Sequence, residues 1–325
     1  MTAVSHTHIT SVRSDLVATP PRILLVRLSA IGDVIHGVPV LCALRAAMPG
    51  AFLGWVVEGR MGDLLEGHPA LDEVVRVPRG WLRSPREVWG LRRRLRELRV
   101  DTAVYLHCLP MSGARRRIGK AGDNGRELSR WFHNELVEAG GSHVIEHYLE
   151  LLRPLGIESP EVRFDLPERA EDVRTIEGYL RASGLVRRRY AILNPGAGWP
   201  SKIWPAARYG ELARHLVRAH GVASLAVWGG AAERPMAEAI VAASEGHAQV
   251  APSTTMTELA ALCKRAALFV GSDTGPMHLS VAVGTPTISM HGPSRAEWCG
   301  AYGPANVRLQ VRYEEGSAMA RRKAD

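Results

Sequence analysis

Four short loops of this chain carry side chains that can do chemistry together. In one, the apolar run Leu268-Phe269-Val270 leads into Gly271-Ser272-Asp273-Thr274-Gly275-Pro276-Met277-His278. A short acid, a hydroxyl, a glycine and an imidazole gathered where a strand gives way to a helix suit a polyol or a phosphate, because ligands of open α/β sheets lie at the carboxyl ends of strands. Asp273 and Thr274 also start helices well, so capping is the competing reading of that pair. In a second loop, Ser29-Ala30-Ile31-Gly32-Asp33 follows the apolar run Arg22–Leu28. Gly32 permits a tight turn, and Asp33 at the mouth of the loop is either a cap or a general base. His36, three residues on, reads as a packing residue of the helix that follows. The third loop, Asn194–Pro205, has small residues, Gly196 among them, that let a ligand approach the backbone. Lys202, just before a helix, can hold a phosphate there, and Trp199 and Trp204 read as packing around it. The fourth loop, Trp228–Glu233, offers in Glu233 an acid for ribose hydroxyls, or else a first-turn carboxylate that complements a helix dipole.

Positioning four such loops takes alternating strands and helices. Strand-like runs lie at 22–28, 53–57, 73–77 and 102–106, and again at 190–194, 223–228, 247–251, 267–271 and 286–290. Helix-like runs fall at 34–48, 86–98 and 143–155, then at 205–220, 233–244, 257–265 and 276–283. This alternation predicts an α/β fold with helices on both faces of parallel sheets, arranged as two Rossmann-like domains facing across a cleft. The spacing of Val34, Val38 and Leu41 starts the first helix at 34, with Pro39 in its first turns. Pro160, Pro167 and acidic neighbours mark 156–171 as a linker. The expected division is a disordered leader over 1–20, a first domain over 21–158, a linker and start of the second domain over 159–186, a second domain over 187–311, and a polar basic tail over 312–325.

At 325 residues, 46% of them hydrophobic, the chain is long enough for two separate cores. No apolar run reaches the ~18–20 residues that span a bilayer, and the opening segment has no signal-type hydrophobic stretch, so a cytoplasmic location is expected. Cys42, Cys108, Cys263 and Cys299 are scattered without metal-ligand spacing and read as reduced thiols. The net charge of +8 is an arginine excess, with Arg79, Arg83, Arg86, Arg92, Arg93, Arg94, Arg96 and Arg99 in one stretch and Arg115, Arg116, Arg117 and Lys120 beyond it. Such a face suits phosphates or an acidic membrane surface. With only Trp81 and Trp89 as aromatics there, it does not suit base stacking, so no nucleic-acid partner is expected. Neither Gly-x-Gly-x-x-Gly nor a P-loop follows any strand, which argues against a nicotinamide oxidoreductase.

Taken together and in order, the four loops resemble the bacterial ADP-heptose:lipopolysaccharide heptosyltransferases, glycosyltransferase family 9, from about Arg22 to about Gly303. The matching pieces are Ser29–His36, Lys202-Ile203-Trp204-Pro205, Trp228-Gly229-Gly230 with Glu233, Ser272–His278, and Gly292-Pro293-Ser294. The resemblance implies a GT-B fold, with the nucleotide-sugar donor on the second half and the acceptor on the first. It further implies inverting transfer of L-glycero-D-manno-heptose from ADP-heptose to the inner core of lipopolysaccharide, or a related anionic glycolipid, at the inner membrane face, with no metal or other cofactor. By position, Asp33 would be the general base and Lys202 would meet the diphosphate. Asp273, Thr274, Gly275 and His278 would line the donor pocket with Asn194 and Gly196, and Glu233 would face the adenosine. The chain departs from the family between Tyr105 and Gly119, where the usual Asp-x-Gln-Gly loop, Lys-Ser and helix are shortened. The same fold using another nucleotide-sugar, or a catalytically silent nucleotide-sugar binder, is the alternative.

Overall fold

Ile23, Leu24, Leu25 and Val26 are all buried, as a strand covered on both faces requires. They belong to β1 (Arg22–Val26), which sits inside a parallel sheet with β2 (Phe52–Glu58), β3 (Glu73–Val77), β4 (Thr102–Tyr105), β5 (Arg116–Lys120) and β6 (Glu135–Val137), in the order 3-2-1-4-5-6. This is a computed structural model describing residues 19–106, 111–121, 132–185 and 189–311. Most of the expected leader, the expected tail and Cys108 lie outside the described residues. A second parallel sheet is built from β7 (Tyr190–Asn194), β8 (Ala223–Ala226), β9 (Ala248–Val250), β10 (Leu268–Ser272), β11 (Thr287–His291) and β12 (Val307–Gln310). Its order, 12-11-10-7-8-9, repeats the first.

Each sheet therefore reverses its winding between its first and fourth strands. Those strands pair directly, from Ile23 opposite Thr102 to Val26 opposite Tyr105, and from Ala191 opposite Leu268 to Asn194 opposite Gly271. A crevice opens beyond the carboxyl ends of such a pair. The loops after β1, β7 and β10, which hold most of the suspected chemistry, all leave the sheets there.

Helix α1 (Ile31–Ala47) begins three residues earlier than the apolar spacing predicts, and this puts Pro39 in its interior. An interior proline removes a backbone hydrogen bond and costs about 3 kcal/mol in an isolated helix. Here every residue from Val34 to Leu44 is buried. Val34, Val38 and Leu41 pack on the first sheet, while Ile35 joins Met277 and Leu279 in the core of the second half. Helix α2 (Pro85–Glu97) rests Leu91 and Leu95 on the opposite face of the first sheet, against Leu24 and Val26. Its N-cap, Ser84, accepts from the Glu87 N–H at 3.4 Å.

The segment read as a linker is firmly anchored. Phe164 and Leu166 pack against the cores of both halves, the Phe164 carbonyl accepts from His68 at 2.8 Å, and Glu168 pairs with Lys264 at 3.0 Å and with Arg265. After α3 (Val144–Glu150), helix α4 (Ala170–Ala182) follows this crossing and buries Ile176 and Leu180 in the second half. In that half α5 (Ala206–His220), α6 (Arg234–Ala243), α7 (Met256–Lys264), α8 (Gly275–Ala282) and the short α9 (Ala296–Cys299) separate the strands. No helix among the described residues is long and apolar enough to cross a membrane.

Candidate active site

Asp33 stands in the first turn of α1. Its Oδ2 accepts the Ala30 N–H at 3.1 Å, half of a capping box, and also pairs with Arg27. Arg27 follows the last residue of β1, and its second amino group donates to the Leu106 carbonyl at 2.7 Å beyond β4. The guanidinium thus spans the switch point of the first sheet and fixes the carboxylate from below. No partner among the described residues takes Oδ1, and the Asp33 side chain keeps 38% of its exposure.

The second half meets this loop through α8. Glycine is required on both sides of the contact: a Cβ on Gly275 would lie 2.0 Å from Ile31 Cγ2, and one on Gly32 would lie 2.6 Å from His278 Cδ2. The N-termini of α1 and α8 are consequently in close contact.

A chain of polar contacts crosses the same junction. His36 Nε2 lies 3.0 Å from His278 Nδ1, His278 Nε2 is 3.2 Å from Asp273 Oδ1, and Asp273 Oδ2 is 2.6 Å from Lys202 Nζ. A carboxylate only accepts, so His278 donates through Nε2 to Asp273. His36 Nδ1 is left buried without a partner among the described residues. Burial, with the neighbouring His278 and His143, holds the His36 pKa well below its ordinary value. Burial alone would raise the Asp273 pKa, but the hydrogen bond and charge of His278 and the Lys202 ammonium outweigh it and hold the carboxyl far below the usual range. Asp273 is therefore an ionised anchor for two cationic or hydrogen-bonding groups rather than a helix cap; the cap of α8 is Thr274.

These residues enclose one cleft of about 430 Å³ between the halves, within the usual range of small-molecule sites. Asp33 and His36 line one wall, and Lys202, Asp273, Thr274, Gly275 and His278 line the other. Trp199 is also a cleft residue, with the Lys202 ammonium 4.6 Å from its ring centroid. Trp204 does pack, edge-on to Tyr209 at 4.7 Å.

Three of the sequence candidates stand behind or beside the cleft. The buried Asn194 amide donates to the Gly196 carbonyl and to Thr274 Oγ1, both at 3.2 Å, and so ties the β7 loop to the start of α8. Glu233 accepts the Gly229 N–H at 2.7 Å, and a Cβ on Gly196 would fall 2.3 Å from its Oε2. Glu233 and Gly196 thus pack loop against loop on the β7–β8 flank of the cleft.

Asp273, His291 and Cys299 offer ligand atoms within 4.8 Å of one another, but they suit a cation poorly. The carboxylate already holds Lys202, and both His291 ring nitrogens meet serine hydroxyls, Ser294 at 3.2 Å and Ser289 at 3.1 Å. Burial and Asp273 push the Cys299 thiol pKa up, so the sulfur stays protonated and donates to Asp273 at 3.6 Å.

The basic residues divide as well. Arg116 makes a two-pronged pair with Glu135 at 2.7 and 2.8 Å, and Arg117 donates to the carbonyls of Phe132 and Ala114 at 2.7 and 2.9 Å. These two are internal ties across β5 and β6, not part of an open basic face. Arg27 and the polar role of His36 escaped the sequence reading. The only trace of Arg27 is a charge at the end of an apolar strand, six residues before an acid.

Two doubly wound parallel sheets facing each other across a ligand-sized cleft define the GT-B class of glycosyltransferase. The chain belongs to glycosyltransferase family 9 (heptosyltransferase), whose description matches residues 89–324. It is 32% identical over 313 residues to lipopolysaccharide heptosyltransferase 1 of Pseudomonas aeruginosa, covering 89% of this chain and 83% of that protein. Among solved structures, it is similar to the family 9 glycosyltransferase of Veillonella parvula, with a TM-score of 0.78, 25% identity and coverage of 90% of this chain and 86% of the other. The E. coli heptosyltransferase WaaC solved with ADP shares the fold, with a TM-score of 0.70 at 22% identity over 89% of this chain and 90% of that one.

Proposed function

We propose that this glycosyltransferase moves heptose from ADP-L-glycero-D-manno-heptose to the inner core of lipopolysaccharide or a related anionic glycolipid, with inversion. The observation that carries the reading is the single cleft in which Asp33 of the first half faces Lys202, Asp273 and His278 of the second. The similarity to lipopolysaccharide heptosyltransferase 1 supports the choice of sugar and acceptor.

In this reading the acceptor hydroxyl gives its proton to Asp33 Oδ1, the oxygen that neither Arg27 nor the Ala30 N–H occupies. Its oxygen forms the new bond to the anomeric carbon from the face opposite the diphosphate, and the bond to the ADP oxygen breaks with its electron pair leaving on ADP. Lys202, oriented by Asp273, and the backbone N–H groups at the start of α8 offset the charge that develops on the diphosphate. That cationic and dipolar support is the basis for reading the reaction as metal- and cofactor-independent. We further read the enzyme as working peripherally, on the cytoplasmic side of an anionic membrane.

Calorimetry with ADP-heptose, ADP, UDP-sugars and NAD, on wild type and Lys202→Ala, tests the donor. Selective binding of ADP-heptose that weakens in the variant is expected. Absence of ADP and ADP-heptose binding overturns the assignment, and heptosyl transfer that survives in Asp33→Ala overturns the role of the base.

A further inference from the structure

Between Arg79 and Glu97 the chain holds seven arginines against two glutamates. Within α2, Arg86, Trp89, Arg93 and Arg96 recur at three- and four-residue spacings and so share one stripe, turned away from the buried Leu91 and Leu95. Trp89 on that stripe is 68% exposed, and Leu82, in the turn just before the helix, is 71% exposed. The Arg92 guanidinium lies 5.8 Å from the Trp89 ring centroid. Arg94 meets Glu73 and Glu97, and Arg93 meets Glu97, whereas Arg79, Arg83, Arg86, Arg92 and Arg96 have no acidic partner among the described residues. An indole and a leucine held out in water inside a ring of uncompensated guanidinium groups match the chemistry of a headgroup layer, where amphipathic rings and cations both find partners.

The location agrees. β3 ends at Val77, so the turn over 79–83 and the first turn of α2 emerge at the carboxyl edge of the first sheet, the edge from which the Asp33 loop also leaves β1. A flat anionic surface meeting Leu82 and Trp89 would lie beside the mouth of the cleft.

We propose that α2 and the turn before it form the surface by which the protein docks on an anionic phospholipid bilayer, with Leu82 and Trp89 entering the headgroup region and the arginines meeting lipid phosphates. This deepens the membrane part of the proposed function and rests on it.

The test is sedimentation of the full chain with vesicles of phosphatidylcholine alone or with one-third phosphatidylglycerol, and in parallel its binding to a duplex DNA oligonucleotide. Wild type should bind the anionic vesicles and not the neutral ones. Each substitution in the series Arg83→Gln, Arg86→Gln, Arg92→Gln and Arg96→Gln should weaken binding roughly five-fold, and Leu82→Ser/Trp89→Ser should weaken it further. Thermal unfolding and ADP-heptose turnover on a short soluble acceptor should be unchanged in every variant. Failure of wild type to bind anionic vesicles, including binding to DNA alone, overturns the proposal together with the membrane reading. Binding that persists through all the substitutions overturns only the assignment to α2, and turnover on the soluble acceptor reports the transfer chemistry independently of either.

Discussion

At the scale of single residues, the cleft separates two tasks: one carboxylate is left open on one oxygen and another is committed on both. Asp33→Asn keeps the shape and the N–H contact but removes the proposed proton acceptor. Its kcat should fall about a hundred- to ten-thousand-fold, with little change in the KM for the donor and, from the lost ion pair with Arg27, a loss of about 1 kcal/mol or less of stability, which steady-state kinetics and calorimetry check together. Lys202→Met should do the reverse to the fold. It leaves the Asp273 carboxylate, 11% exposed, without its cation, and removing one partner of a buried pair costs about 3 kcal/mol. Urea unfolding should register that loss, and donor affinity should drop at least tenfold. The residue types of the cleft were legible in the sequence because Asp33, Lys202 and the Asp273–His278 loop each end or follow a recognisable strand. Arg27 and His36 were not, because the carbonyl that steers Arg27 onto Asp33 lies 79 residues away and the partner of His36 lies 242 away, and nothing local marks a side chain placed by a distant contact.

At the scale of elements, the decisive contact is the approach of α1 to α8. Gly275→Ala drives a methyl group into Ile31, and overpacking of this kind costs about 1–3 kcal/mol. The variant should be less stable and slower in turnover, and Ile31→Ala/Gly275→Ala should recover most of the stability in the same unfolding experiment. The apolar strands β1, β2, β3, β4, β7, β8, β9, β10 and β11 could all be read from their side chains, to within two residues at each end. β5, β6 and β12 could not. β5 reads Arg116-Arg117-Ile118-Gly119-Lys120 and is held as a strand by pairing with β4 and β6, while Glu135, Phe132 and Ala114 take up its arginines. β12 is exposed along its whole length and, among the described residues, pairs solely with β11. The early start of α1 has the same origin: burial from two sides overrides the proline that a local reading uses to place the first turn.

At the scale of the whole molecule, buried histidines join the halves and make their union sensitive to acid. His143, at the start of α3, hydrogen-bonds the Gly300 carbonyl of the second half at 2.9 Å, and burial lowers its pKa to about 4. Burial likewise holds His36, which meets His278 across the junction, well below its ordinary value, and takes His291, inside the second half, to about 4. These groups stay neutral in the folded protein while the unfolded chain takes up protons below pH ~6.5. Stability is therefore full above that pH and is lost as the pH falls toward 4, by up to about 3 kcal/mol for each of His143 and His291. Unfolding midpoints recorded from pH 7.5 to 4.5 should decline along that course, and His143→Asn should flatten it. Among the described residues the backbone passes from the first sheet to the second a single time, between β6 and β7, so each wall of the cleft is encoded as one uninterrupted stretch. A single recombination in the intervening codons exchanges an entire wall, and the two specificities of the enzyme can be inherited separately wherever the faces of α1 and α8 still match.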